Sequence, residues 1–338
     1  MYIISPKQKQ YKANLHCHST LSDGKRTPEE LKKMYKAQGY SILSITDHEV
    51  PKSHADLDDE DFITVTGYEA YIREDPNAVC DVYKSEVHLN LIAKEQGNEK
   101  YVCYNPKYSK YLSKNGDIST YERVGSEQTR EYSVEYVNKF IKTANENGYL
   151  VTHNHPVWSL EKEETIMRYE GIWSMEMCNY SSFLINRTEY NAPLYDKLLK
   201  SGKRLFCHGS DDNHNVAEDG SAKSDSFGSF TVIMPEEFTY SSIIEALEKG
   251  NFYASMGPTF SEISVEGNKV HVECSPVKVI LIQTGSKTPK RIYAENGETI
   301  CSADFEIDAR AEFFRISVQD ENGKFADTRG FFKDEIGF

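Results

Sequence analysis

The sequence has no surplus of basic residues. Its 39 Lys and Arg stand against 53 Asp and Glu, giving a formal net charge of -14 and a pI near 5.3. Without a basic field the chain has little with which to grip duplex nucleic acid through its phosphates, and a small anionic substrate must meet a local positive centre. No run approaches 18 apolar residues, and the opening "MYIISPKQKQ" lacks the apolar core and small-residue cleavage site of a signal peptide. These absences set the expectation of a soluble, cytoplasmic chain with no membrane partner. The seven cysteines include no CxxC pair; an odd, scattered set suits a reducing compartment better than a disulfide framework. A strand-linked GxxxxGK[ST] phosphate loop is also missing.

What the chain does contain is a succession of short apolar runs, each leading to a histidine or an acid. After a strand through Leu15, "TPEELKKMYKAQG" reads as a helix, with Thr27 as cap, Pro28 in the first turn, Glu30 closing a capping box and Gly39 as the stop. "YSILSITDHE" follows as a second strand, completing a βαβ unit. Further strands are expected at 62–69, 86–93, 149–156, 172–179 and 204–212, about seven in all, with "GSFTVIMP" as an eighth or outer strand. Residues 96–131 form a polar, tyrosine-strewn insertion, either an ordered substrate-side loop or bland surface. From about 261 the pattern becomes short strands and turns, which predicts two domains: 1–260, and a small β-sandwich-like module at 261–338 suited to packing, homo-oligomerisation or shaping one side of the active site.

The chemistry-bearing residues keep to the strand ends. His16, His18, Asp23, His48, Glu69, His88, His155 and Asp211 are the candidates, with His153 and His214 in reserve. In a parallel barrel the carboxyl ends of the strands form one face, where residues distant in sequence converge. Taken singly, each has an ordinary structural reading: Asp23 as a turn former, Glu69 as a partner of Arg73, His88 as a core histidine. Taken together they would be costly to bury without metal or matched partners, and a nitrogen-rich shell of this kind suits zinc, manganese or iron better than magnesium or calcium.

"HCHSTLSDG", "ITDHE", "GYE", the His88 strand, "HNHP" and "GSDDNH" together resemble the successive motifs of the polymerase and histidinol phosphatase (PHP) superfamily of metal-dependent phosphoesterases, over about residues 11–256. The resemblance implies a distorted seven-stranded β/α barrel with two or three divalent metals at its carboxyl face. It assigns His16, His18 and Asp211 to the first metal, Glu69 as a bridge, His88 and His155 to the second, and Asp23 and His48 to a third. The family pattern closes with Asp-x-His. This chain has Asp211 followed by Asp212 and Asn213, with His214 one place later, so that either His214 completes the third site through a changed loop, or Asn213 does so, or the third site is weak.

The implied reaction is hydrolysis of a small phosphorylated compound or nucleotide terminus, with a metal-bound water as nucleophile between metals about 3.5–4 Å apart. Asp211 and His48 belong to this catalytic group, and Asp47 is placed to orient His48. Arg73 and Arg187 are the candidate substrate contacts, since a guanidinium matches a phosphate. Two alternatives stand beside this reading: another metal-assisted hydrolysis, such as attack at carbon, and a non-catalytic protein that binds a partner through an inherited metal centre.

Overall fold

The computed structural model describes residues 1–77, 81–116 and 118–338. Its strands are β1 (Tyr2–Ile4), β2 (Tyr11–Asn14), β3 (Tyr40–Leu43), β4 (Ile63–Thr64), β5 (Gly67–Arg73), β6 (Glu86–Ala93), β7 (Tyr101–Val102), β8 (Arg123–Val124), β9 (Tyr149–His153), β10 (Ser174–Asn179), β11 (Phe206–Ser210), β12 (Phe230–Ile233) and β13 (Phe252–Ser255). The C-terminal region adds β14 (Phe260–Glu266), β15 (Lys269–Val277), β16 (Val279–Gln283), β17 (Lys290–Tyr293), β18 (Ile300–Glu306), β19 (Phe313–Gln319), β20 (Phe325–Thr328) and β21 (Phe331–Phe332). The first helix, Pro28–Ala37, starts as its sequence requires: Thr27 accepts from the Glu30 amide while the Glu30 carboxylate caps Thr27.

The fold is mixed α/β and strand-rich, and its ladders do not show the expected closed seven-stranded barrel. One sheet runs β11-β10-β9-β6-β5, and another β17-β16-β19-β20-β13-β12-β2-β3-β4. Isolated bridges join their margins, His48 to Glu69 on one side and Cys17 to Asn213 on the other. The strand expected over 62–69 breaks in two at Val65 and Thr66, where the chain passes from pairing with β3 (Val65 amide to Leu43 O) to pairing with β6 (Ala93 amide to Thr66 O). Gly67 begins β5 with no room for a side chain: a Cβ there would lie 2.9 Å from the Leu91 carbonyl oxygen.

The strands are also not all parallel. β2, β3 and β4 are parallel, as are β9, β10 and β11, but β6 runs antiparallel to both β5 and β9. A short connection can join an antiparallel pair, whereas a parallel one needs a long crossover. This reversal explains why His88 stands near the start of its strand. The start of β6 lies at the same edge as the far end of β5, with His88 opposite Tyr71.

"GSFTVIMP" supplies β12, antiparallel to β2 and β13. Through β13 the sheet continues into β20, β19, β16 and β17, while β1 pairs with β14 in a separate sheet, β1-β14-β15-β18. The apolar faces of these two sheets pack on each other, with Ile263, Val272, Ile280 and Ile316 in one cluster that also takes in Leu31, Tyr35 and Leu43. Sheet and core thus both run across residue 260. A second cluster seats the helix Val134–Glu146 on β5, β6 and β9 through Val137, Phe140 and Ile141. Among the described residues no helix is long and apolar enough to cross a membrane, and none of the six described cysteines is in a disulfide.

Candidate metal centre

His16 and His18 follow β2 in extended chain, where alternate residues share a face. Cys17 between them points into the core. Their neighbours are the segments leaving β3 and β11: the Thr46 amide donates to Cys17 O, the Asp212 amide to His16 O, and the His18 amide to Asn213 O. The turn after His18 folds back closely enough that a Cβ on Gly24 would lie 2.2 Å from the His18 carbonyl oxygen. Only glycine allows that approach, and it places Asp23 beside the histidines.

The side chains converge around two carboxylates. Glu69 Oε1 lies 3.3 Å from His16 Nε2, 3.1 Å from His88 Nδ1 and 3.4 Å from His155 Nε2, while its Oε2 is 2.9 Å from His48 Nδ1 and 3.4 Å from His18 Nε2. Asp212 Oδ1 lies 3.0 Å from His18 Nε2 and 3.1 Å from His16 Nε2. An outer group sits nearer the solvent, with Asp23 within 3.5 Å of His214 Nε2 and 3.7 Å of His48 Nε2. The sets His16/His18/Glu69, His16/His155/Asp212, His48/Glu69/His88 and His18/Asp23/His48/His214 each have ligand atoms close enough to hold one ion.

Asp212 stands where the sequence expectation put Asp211. The Asp211 carboxylate turns toward β12, accepting from the amides of Phe227, Gly228 and Ser229 at 2.7–3.1 Å and from the Tyr35 hydroxyl at 2.7 Å. Its four donors commit it to holding this turn. Asp212 adopts φ 55°, a left-handed backbone that aims its side chain into the cluster; His155 does the same after β9, at φ 25°. Such conformations cost about 1–3 kcal/mol each for residues with a Cβ and persist where surrounding structure enforces them. With Asp212 in place, Asp212-Asn213-His214 is an unbroken Asp-x-His, and the departure read from Asp211 disappears.

Asp47 and Arg187 depart from expectation, whereas His153, held in reserve behind His155, stays out of the cluster. Asp47 does not touch His48: it accepts from Ser19 and Ser22, backbone and hydroxyl, and so shapes the loop that presents Asp23. His153 points away from the cluster, 2.7 Å from Glu161, leaving the site to His155. Arg187 ends the helix Tyr180–Asn186 in a left-handed cap, is exposed, and does not line the cavity over the cluster. Arg73 does line it, with its Nε 2.7 Å from Glu86 Oε2; Glu86 in turn lies 3.3 Å from His88 Nε2.

Glu176 was absent from the sequence reading. The one acid of the wholly buried strand β10, it lies 2.7 Å from His16 Nδ1 and accepts from Ser210 Oγ, Asn179 and the His155 amide. A carboxylate on the far nitrogen fixes the ring and tautomer of a metal-binding histidine. Burial opposes the charge on Glu176, but the adjacent His16 holds it down to about 2. Its signal was a lone acid inside "SMEMCN". Ser159 faces His155 Nδ1 in the same manner, at 3.1 Å.

The cluster has the character of a cation site. Glu69 Oε2, Asp212 Oδ1, His48 Nδ1 and His88 Nε2 are buried 2.9–3.3 Å from a carboxylate or imidazole atom, yet none of them makes a hydrogen bond of good geometry. Ligand-type atoms with unfilled valence around one point are what a metal ion satisfies. The electrostatics agree. Burial works against a charged His88, yet Glu69 and Glu86 raise it to about 10, so these carboxylates call for positive charge beside them.

The 96–131 insertion is ordered against this site, residue 117 lying outside the described part. Glu49, next to His48, is bound by both terminal nitrogens of Arg130, at 2.9 Å for the Nη2 contact, and by the Tyr101 hydroxyl at 2.5 Å. Asn115 donates to Leu21 O at 2.6 Å. These contacts hold Lys110 and Tyr111 at the wall of a cavity of about 500 Å³ whose floor is the cluster and whose other wall includes Trp158, Ile185 and Val216.

Residues 14–208 match the family model of the PHP domain. No curated protein matches the chain. Among solved structures, a two-domain protein from Bacteroides vulgatus containing a predicted PHP-like metal-dependent phosphoesterase is similar over 97% of this chain and 88% of its own, at 14% identity and a TM-score of 0.48. An amidohydrolase from Chromobacterium violaceum, solved with sulfate and no metal, is similar over 61% of this chain and 89% of its own, at 17% identity and a TM-score of 0.40.

Proposed function

We propose, for a chain that belongs to the PHP domain family, that it hydrolyses a small phosphorylated compound with water activated by divalent metal. The observation that carries this reading is the convergence of six histidines on Glu69, Asp212 and Asp23, several of their buried atoms unsatisfied, at the floor of an open cavity. Bound divalent cations would supply an acidified water and neutralise phosphate oxygens.

The chain's own residues determine where that happens. Glu69 and Asp212 would carry the anionic ligands at the floor, with His16, His88 and His155 around Glu69 Oε1 and His18 and His48 around its Oε2. Asp23, His48 and His214 would hold a third ion at the rim. The mixed nitrogen and oxygen donors favour zinc, manganese or iron. Glu176 keeps His16 turned so that Nε2 faces the floor, and Ser159 does the same for His155. Arg73 holds Glu86, which backs His88. Arg73 therefore acts through His88 as a positioning residue, and its place in the cavity wall also leaves it near a bound substrate. A cavity of about 500 Å³ is of small-molecule size.

The test is turnover of p-nitrophenyl phosphate and bis-p-nitrophenyl phosphate by protein stripped of metal and reloaded with Mn²⁺, Zn²⁺ or Fe²⁺. Metal-dependent release of nitrophenol is expected, and the ratio of the two rates separates monoesterase from diesterase activity. No metal-dependent turnover of either, nor of a panel of nucleotides and sugar phosphates, would overturn the proposal.

A further inference from the structure

Among the described residues, the cavity is lined by Asp23, Glu69, Glu86, Asp212 and Asp225 and, apart from histidines, by two basic side chains, Arg73 and Lys110. Arg73 is committed: it pairs with Glu86 and its guanidinium lies 3.9 Å from the centre of the Tyr71 ring. Lys110 is exposed, with its Nζ 5.1 Å from the centre of the Tyr111 ring, and among the described residues no carboxylate pairs with it. It is not the tip of a loose loop. The Arg130–Glu49 pair fixes one end of the insertion, and Asn115 ties the following turn to both Leu21 O and Tyr111 O. The Tyr111 ring also stacks 6.4 Å from that of His48, so Lys110 stands one aromatic ring away from the cluster.

A cation held at the rim, in a chain of net charge -14, is the local positive centre that an anionic substrate requires. Its place beyond the Tyr111 ring from His48 assigns it to a part of the substrate other than the reacting phosphate. We infer that Lys110 is a specificity-determining residue, pairing with a second anionic group, a carboxylate or phosphate, on the leaving group of the phosphoester. This rests on the phosphoesterase reading for turnover, but its binding component does not.

Two pairs of probes separate the two claims. Phenyl phosphate and 4-carboxyphenyl phosphate differ by one remote carboxylate; their phosphonate counterparts bind without reacting. In metal-loaded wild-type protein, KM should favour the carboxylated ester by about fivefold, the scale of a partly exposed ion pair. The preference should collapse in Lys110→Ala, return in Lys110→Arg and reverse in Lys110→Glu, a pattern that a merely structural lysine would not give. An equal KM ratio in wild type and Lys110→Ala overturns the inference even if both esters are hydrolysed. If neither ester turns over, calorimetry with the phosphonates decides: a Lys110-dependent preference upholds the inference while the phosphoesterase reading fails, and equal binding to wild type and Lys110→Ala overturns it.

Discussion

Carboxylates are buried in two different settings in this protein. Around Arg315 they are matched: its Nη1 reaches the buried Asp327 at 2.7 Å, the Tyr190 hydroxyl donates to Asp327, and its Nε and Nη2 reach the half-buried Asp196 at 2.5 and 3.0 Å. Glu49 and Arg130 form a second matched pair. At the strand ends, Glu69 and Asp212 are buried too, yet the ionisable partners around both are imidazoles. A matched pair is self-sufficient and locks β19 and β20 to the helix Ala192–Lys200. The histidine cluster is incomplete as protein alone, and incompleteness of charge is what distinguishes a site built for an external cation from one built for stability.

The comparison can be broken at either end. Asp212→Ala should remove metal from the floor of the cavity and reduce turnover by more than about a hundredfold, exceeding the loss usual for a residue that only backs a ligand; metal analysis and kinetics on one preparation read both effects. Arg315→Ala should do the opposite, costing about 3–5 kcal/mol in urea unfolding by stranding buried charge, with bound metal per folded molecule unchanged. Glu176→Gln keeps the shape of the side chain but removes its charge from behind His16, so metal affinity should fall about 10- to 100-fold, measured by competition with a chelator. Asp211→Asn should leave the metal content alone and cost about 1–3 kcal/mol of stability, as hydrogen bonds to a charged acceptor are weakened. His214→Ala should have the smallest effect, lowering occupancy at the rim while the Glu69-centred ions stay bound, because His214 and Asp23 are about a quarter to a third exposed whereas His16 and Glu69 are at most 1% exposed.

The floor of the site was legible because its histidines follow apolar runs in a fixed order, and the helix Pro28–Ala37 because its cap, proline and stop are local. The choice between Asp211 and Asp212 was not. Two consecutive acids after a strand point to opposite sides, and which one faces inward depends on the left-handed turn at Asp212 and on the β12 amides that claim Asp211, both long-range features. The reversal of β6 was hidden for a similar reason, since a buried strand has the same apolar pattern in either direction. Arg187 looked like a phosphate contact only while its helix was unseen. Asp47 sat beside the correct histidine in sequence, but its partners Ser19 and Ser22 come from another loop.

Anomalous diffraction at the metal edge, on crystals of protein loaded with Mn²⁺ or Zn²⁺, tests the metal centre most directly. The account predicts peaks ligated by Glu69, with Asp212, His16 and His18 about one metal–ligand bond length, roughly 2.0–2.2 Å, from one of them, and Asp211 still bound to the Phe227, Gly228 and Ser229 amides. A cluster that takes up no metal at saturation, or a peak ligated by Asp211 with Asp212 turned away, would contradict it.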